Sequence, residues 1–164
     1  MAGARALWRA NGLKEEQFGK PIIAIVNSFT QFVPGHVHLD KLAERVKQGN
    51  RDAGGLPREV ETAGICDGVC RKDPRYIEVP SRNCIADQVE LTVEGNFFDG
   101  MVMLSTCDSI VPGHLMGAAR CNIPTILVTG GYMTHAQGSG SQVIQSEALD
   151  KVTAGVDGTF SLAE

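Results

Sequence analysis

Three residues in this chain combine a reactive type with a telling position. Asp67, Cys107 and Asp108 each follow a short run that reads as a β-strand. The end of a strand is where a side chain can project into a cleft, so these residues could do chemistry. Two carboxylates brought together there repel unless a cation joins them, and a hard cation such as Mg²⁺ suits two oxygen donors. Each Asp could equally cap the next helix or turn. Cys107 is followed by Asp108 and then by Pro112-Gly113, which reads as a helix start. There its thiol could be eased into a thiolate, act as a soft ligand for an iron-sulfur cluster, or be an inert buried cysteine. A single cysteine does not hold a cluster. Gly130-Gly131 closes another apolar run and could offer backbone N–H groups to an anion, or form a plain turn.

Other reactive types carry less. Cys66 and Cys70 stand four apart and read as small buried residues rather than a metal pair. His36 and His38 flank Val37 and lack the i, i+4 spacing of a helical metal pair, so at least one is expected at the surface. His114 and His135 are isolated, and spacing assigns them no role.

The elements that must position these residues alternate. Strands are expected over Pro21–Val26, Arg58–Ile65, Gly100–Leu104 and Thr125–Val128. A helix is expected over Ala2–Asn11, and another opens at Pro34-Gly35, carries Val37, Leu39, Leu42, Ala43 and Val46 on one stripe, and stops at Gly54-Gly55. Val69–Glu78 reads as a loop. Pro80-Ser81 reads as a helix start with Ser81 as cap, and Ile85, Val89 and Val93 form its inner face. Further helices are expected from Pro112 to Arg120 and from Val143 to Lys151, the last after a flexible Gly138-Ser139-Gly140-Ser141 link. Strands separated by helices imply one α/β domain, a mainly parallel sheet with helices on both faces. Four loops then gather beyond the strand ends: Asn27-Ser28, Cys66-Asp67-Gly68, Cys107-Asp108-Ser109 and Gly130-Gly131.

Composition bounds the function. The chain has 164 residues, 43% hydrophobic and 21% charged, enough for one core. A net charge of -4 without a basic run gives no nucleic-acid footprint. The apolar runs are too short to span a membrane, and the opening Met1–Ala10 lacks the apolar segment of a signal peptide. Five cysteines, an odd count, argue against a disulfide framework, and a cytoplasmic location is the expectation.

Several stretches resemble the dihydroxy-acid dehydratase / 6-phosphogluconate dehydratase family. They are Met1–Ala10, the run from Phe18 through Val26-Asn27-Ser28 to Leu39, Pro80–Asp87, Cys107-Asp108-Ser109-Ile110-Val111-Pro112-Gly113-His114-Leu115-Met116, and Asn122–Gly131. The likeness covers nearly the whole chain in order and lies nearer the dihydroxy-acid than the sugar-acid branch. It implies a hydro-lyase that turns 2,3-dihydroxy acids or sugar acids into 2-keto acids, with an iron-sulfur cluster and Mg²⁺ as Lewis acids. By position it implies Cys107 as a cluster ligand, Asp67 and Asp108 as Mg²⁺ ligands, and Gly130, Gly131 and Ser109 beside the small hydroxy-acid substrate.

Two departures from the family pattern matter. Ser109 stands where the family usually has a lysine that is carbamylated to bind metal. Val69–Arg75 replaces a loop that usually carries Met-Gly-His. The family pattern also continues beyond Glu164 and precedes Met1, so the chain is expected to be truncated, lacking the C-terminal domain with its catalytic serine. The implied activity is that of a partial or split component completed by a second subunit or a further copy. The alternatives are a non-catalytic dehydratase-like binding protein and a folded fragment without activity of its own.

Overall fold

A computed structural model describes residues 2–70, 74–134, 136–137, 142–143 and 150. Helix α1 (Ala2–Ala10) leads to strand β1 (Ile22–Asn27), followed by α2 (Leu39–Asp52), β2 (Leu56–Glu61), α3 (Pro74–Asn96), β3 (Gly100–Ser105), α4 (Ile110–Cys121) and β4 (Thr125–Thr129). The four strands form one sheet in the order β2-β1-β3-β4, and every pair is parallel. Short strands β5 (Ala136–Gln137) and β6 (Gln142–Val143) pair antiparallel in a separate two-stranded sheet.

The alternation of side chains along β1 and β3 builds two cores. Ala24, Val26, Met101 and Met103 point to one face and pack with Val89 and Val93 of α3 and Cys121 of α4. Ile25 and Leu104 point to the other and pack with Leu39 and Ala43 of α2. Helices therefore cover both faces, as the alternating pattern implies. Ile85, Val89 and Val93 are buried, on the inner face expected for them.

Between α3 and α4 two glycines let the backbones approach. A Cβ on Gly113 would stand 2.9 Å from Ile85 Cγ2, and one on Gly117 would stand 2.7 Å from Val89 Cβ. Both glycines lie on the face of α4 that also buries Ile110, His114 and Cys121.

Several element boundaries differ from the sequence expectation. Helix α3 begins at Pro74, so part of the expected loop Val69–Glu78 is helical and Pro80 lies inside the helix. Pro74 already satisfies the preference of proline for a helix start, and Pro80 forgoes one backbone hydrogen bond farther in. Ser81 is then no cap but a buried residue of that helix. Helix α2 begins at Leu39, and residues 34–38 form turns. Helix α4 begins two residues before Pro112. Strand β2 runs from Leu56 to Glu61, and residues 62–66 after it are extended loop rather than strand. Val143 belongs to β6 and does not open a helix. The expected Gly138–Ser141 link, most of the last helix, and His135 lie outside the described residues.

Candidate functional site

The strand order reverses direction between β1 and β3, which opens a crevice beyond their carboxyl ends. All four loops singled out in the sequence meet there. Asn27 ends β1 fully buried. Its Oδ1 accepts the Phe29 N–H at 3.1 Å and its Nδ2 donates to Glu59 Oε1 at 2.8 Å, so the side chain turns the chain and holds it against β2. Ser28 Oγ donates to the Leu104 carbonyl at 3.0 Å and ties the first loop to β3.

Three glycines let the loops pack closely. A Cβ on Gly64 would stand 2.9 Å from the Ser28 carbonyl oxygen and 3.3 Å from His36 Nδ1. One on Gly35 would meet Met133 Cγ at 2.8 Å, and one on Gly130 would meet Thr106 Cβ at 3.2 Å. The Gly130 carbonyl accepts a hydrogen bond from His38 Nε2 at 2.8 Å, and the Gly130 N–H donates to the Ser105 carbonyl at 2.9 Å. That N–H is committed to the fold, so Gly130 contributes close packing rather than an anion contact. Gly131 takes φ +84°, which glycine adopts without strain.

Cys107 is the focus of the crevice. It is a non-glycine residue at φ +72°, a left-handed conformation that costs about 1–3 kcal/mol and concentrates at functional sites. Its Sγ lies 3.4 Å from Asp108 Oδ1. Cys66, at the end of the loop after β2, is near enough to act electrostatically on the Cys107 thiol. Cys66 Sγ in turn lies 3.7 Å from Asp67 Oδ1. The site thus holds two Cys-Asp dipeptides, with buried or half-buried thiols and exposed carboxylates.

Burial, reinforced by the neighbouring Cys66, pushes the Cys107 thiol up to about 12. The start of α4 therefore does not make it a thiolate, because desolvation outweighs any help from the helix end. Ser109 is fully buried as the residue before α4 and does not reach solvent.

Beneath this surface lies a polar layer that residue spacing did not reveal. His114 is fully buried on α4. Its Nδ1 is 2.6 Å from Ser105 Oγ and its Nε2 is 2.8 Å from Thr62 Oγ1. One ring nitrogen donates and the other accepts, and both hydroxyls can play either part. Burial lowers the His114 pKa to about 4, with His36 nearby adding to the effect, so the ring is neutral. His36 is also wholly buried: its Nδ1–H donates to the Ser28 carbonyl at 2.5 Å. Its Nε2 is buried with no hydrogen-bond partner, and burial lowers its pKa as well. The expectation that His36 or His38 lies at the surface fails, because His36 is enclosed and His38 is half-buried against Gly130. The one signal available for His114 was its place on the small, apolar face of α4.

Comparison with known families bears directly on this crevice. A family described as dihydroxy-acid/6-phosphogluconate dehydratase, N-terminal, matches residues 20–164. The chain belongs to that family. The α/β fold with its parallel sheet is consistent with this dehydratase domain, whose membership points to dehydratase-type hydro-lyase chemistry and to metal and iron-sulfur cofactors. The match does not separate the dihydroxy-acid branch from the sugar-acid branch. Among the described residues no helix is long and apolar enough to cross a membrane.

Proposed function

We propose that this chain supplies the strand-end half of a hydro-lyase site. That site removes water from 2,3-dihydroxy acids or sugar acids to give 2-keto acids, and a second subunit or further copy completes it. The observation that carries this reading is the placement of Asp67 and Asp108, each beside a thiol, on loops at the carboxyl end of the sheet of a dehydratase-family domain.

The donor chemistry separates the two cofactors that the family implies. Two exposed carboxylates fit Mg²⁺, which is commonly held by one or two carboxylates together with water and substrate oxygens. Bound by Asp67 and Asp108, Mg²⁺ would supply positive charge to the substrate carboxylate and its neighbouring oxygen. An iron-sulfur cluster does not fit these residues by themselves. A cluster takes four protein ligands, and among the described residues no group of three or more His, Cys, Asp or Glu converges on one point. Cys107 and Cys66 offer two sulfurs, and the remaining ligands would have to come from a second subunit.

The chain's own residues have defined tasks in this reading. Asp67 and Asp108 hold the cation, and Gly131 is the backbone position left to meet the substrate carboxylate, since Gly130 and Ser109 are engaged in packing. Exposed apolar side chains sit on the same loops, with Phe32 at 84% and Tyr132 at 94% exposure. Such side chains are usually covered by a partner, and a second subunit seated there would exclude water from the site.

The metal assignment has a direct test. Titration calorimetry with MgCl₂ should show binding to the intact chain and an affinity at least about tenfold weaker after Asp108→Ala, the loss of one of two charged ligands. Equal affinity in the two proteins would remove Asp108 from the site. The reaction is tested by anaerobic incubation with a 2,3-dihydroxy acid and Mg²⁺, with the keto product read as its hydrazone. Product should be absent with the chain alone and appear when a chain carrying the missing cluster cysteines is added. Persistent absence in such mixtures would favour the non-catalytic reading, which the buried Ser109 at the usual lysine position also supports.

A further inference from the structure

A pocket of about 220 Å³ opens at the other end of the sheet, where the strands begin. Leu13, Ile22, Leu56 and Phe98 form its apolar wall, and Trp8 and Arg58 complete the lining that matters here. Ile22 and Leu56 open β1 and β2 and pair in register, and Phe98 precedes β3. Asn27, at the crevice end of β1, is about 16 Å from Ile22 along the extended strand. Leu13 and Leu56 are buried, and Trp8, Ile22 and Phe98 are half-buried, so the fold itself builds the wall. Arg58 is the one basic residue among those that line the pocket. Its Nη1 donates to the Pro57 carbonyl at 3.1 Å, and among the described residues no carboxylate pairs with its guanidinium. Glu59 borders the pocket too, but its carboxylate is engaged, with Oε1 on Asn27 Nδ2 at 2.8 Å and Oε2 on Lys47 Nζ at 2.6 Å. Register and alternation put Arg58 with Ala24 on the α3 face of the sheet and Glu59 with Ile25 on the α2 face.

We propose that this pocket is a binding site for a small monocarboxylate with an apolar body. The guanidinium is a planar fork of five N–H donors, of which the Pro57 carbonyl takes one, and a carboxylate is the anion that such a fork matches in shape and charge. The apolar body lies against Leu13, Leu56, Phe98 and the Trp8 ring. The volume equals roughly seven waters at about 30 Å³ each, which suits a ligand of about seven to nine non-hydrogen atoms. A second negative charge has no second basic residue to meet, so dicarboxylates and phosphate esters fit worse. Occupancy joins the amino-terminal arm to the sheet. Helix α1 buries no residue of its own, and Trp8 is held by the Phe18 ring at 6.3 Å between centroids. A ligand between Trp8 and Arg58 therefore adds a contact from that arm to β2. The proposal rests on this pocket alone and is independent of the hydro-lyase reading.

The test titrates the full ¹⁵N-labelled chain with cyclohexanecarboxylate and follows ¹H–¹⁵N correlation spectra. Trp8 is the single tryptophan, so its indole N–H gives one cross-peak that reports on this pocket and nowhere else. That peak should move saturably. Cyclohexylmethanol, nearly the same body without the charge, should bind at least about tenfold more weakly, and Arg58→Gln should weaken the carboxylate by a similar factor. Peak dispersion in the same spectra shows whether Arg58→Gln is folded, and the comparison of acid with alcohol on the unaltered chain stands without it. A Trp8 peak that does not move, equal affinity for the alcohol, or unchanged affinity in folded Arg58→Gln would each overturn the proposal.

Discussion

Acidification from pH 7 to pH 4 will destabilise this protein by about 3 kcal/mol through His114 alone. The folded ring titrates at about 4, because it is buried between Ser105 and Thr62 with both nitrogens already satisfied. In the unfolded chain it titrates near 6.5. Between those values the unfolded state binds a proton that the folded state refuses. The stabilisation is complete above about pH 6.5 and is lost progressively as the pH falls toward about 4. The gap of about 2.5 pH units corresponds to about 3 kcal/mol at about 1.4 kcal/mol per unit. His36 is buried with a lowered pKa and works in the same direction. Urea unfolding at pH 7, 5.5 and 4 measures the effect. His114→Leu should be less stable at pH 7, because two buried hydroxyls lose their partner at roughly 1–3 kcal/mol each. It should also show a shallower fall between pH 6.5 and 4. A variant that kept the full slope would show that His114 is not the titrating group.

Adding a single methyl group at Gly117 should also destabilise the fold, against the usual direction. Alanine in place of an exposed helical glycine gains about 1 kcal/mol from propensity. Here the new Cβ would lie 2.7 Å from Val89 Cβ and 3.3 Å from the Ala86 carbonyl oxygen, and the latter belongs to the backbone of α3. Helix α4 must move away from α3, and overpacking of that kind costs about 1–3 kcal/mol. Gly117→Ala should therefore lower the melting temperature by several degrees, and Gly117→Val should lower it further. The double variant Gly117→Ala with Val89→Ala should recover part of the loss, a coupling of about 1 kcal/mol, because shortening Val89 opens the space that the methyl needs. A Gly117→Ala protein that melts higher than the parent would show that the two helices have room to spare.

The effect of that displacement would reach beyond stability. Helix α4 carries His114, whose ring links Ser105 at the end of β3 to Thr62 after β2. The loops that present Cys107 and Cys66 start from those same strand ends. A close approach of α3 and α4 is therefore one of the things that fix the loops bearing the two Cys-Asp dipeptides.

The sequence by itself determined the parallel α/β class, because apolar runs of strand length alternate with amphipathic stretches and only crossover helices join parallel strands. It also determined that Asn27-Ser28, Cys66-Asp67, Cys107-Asp108 and Gly130-Gly131 share one end of the sheet, because each follows a strand. The family likeness was legible in contiguous motifs for the same reason: they are local. Only the tertiary structure decided what depends on distant pairs. Cys66 looked inert because nothing near it in sequence shows that it acts on the Cys107 thiol. His36 and His114 looked isolated because their partners, Ser28, Ser105 and Thr62, are brought to them by loop packing and by the α4 crossing. Pro80 and Pro112 misplaced two helix starts because a proline is tolerated inside a helix whose flanking residues are held by packing against the sheet and its neighbour. Whether a thiol is ionised, and whether a glycine's N–H is available, depends on desolvation and on hydrogen-bond partners, and these exist only once the chain has folded.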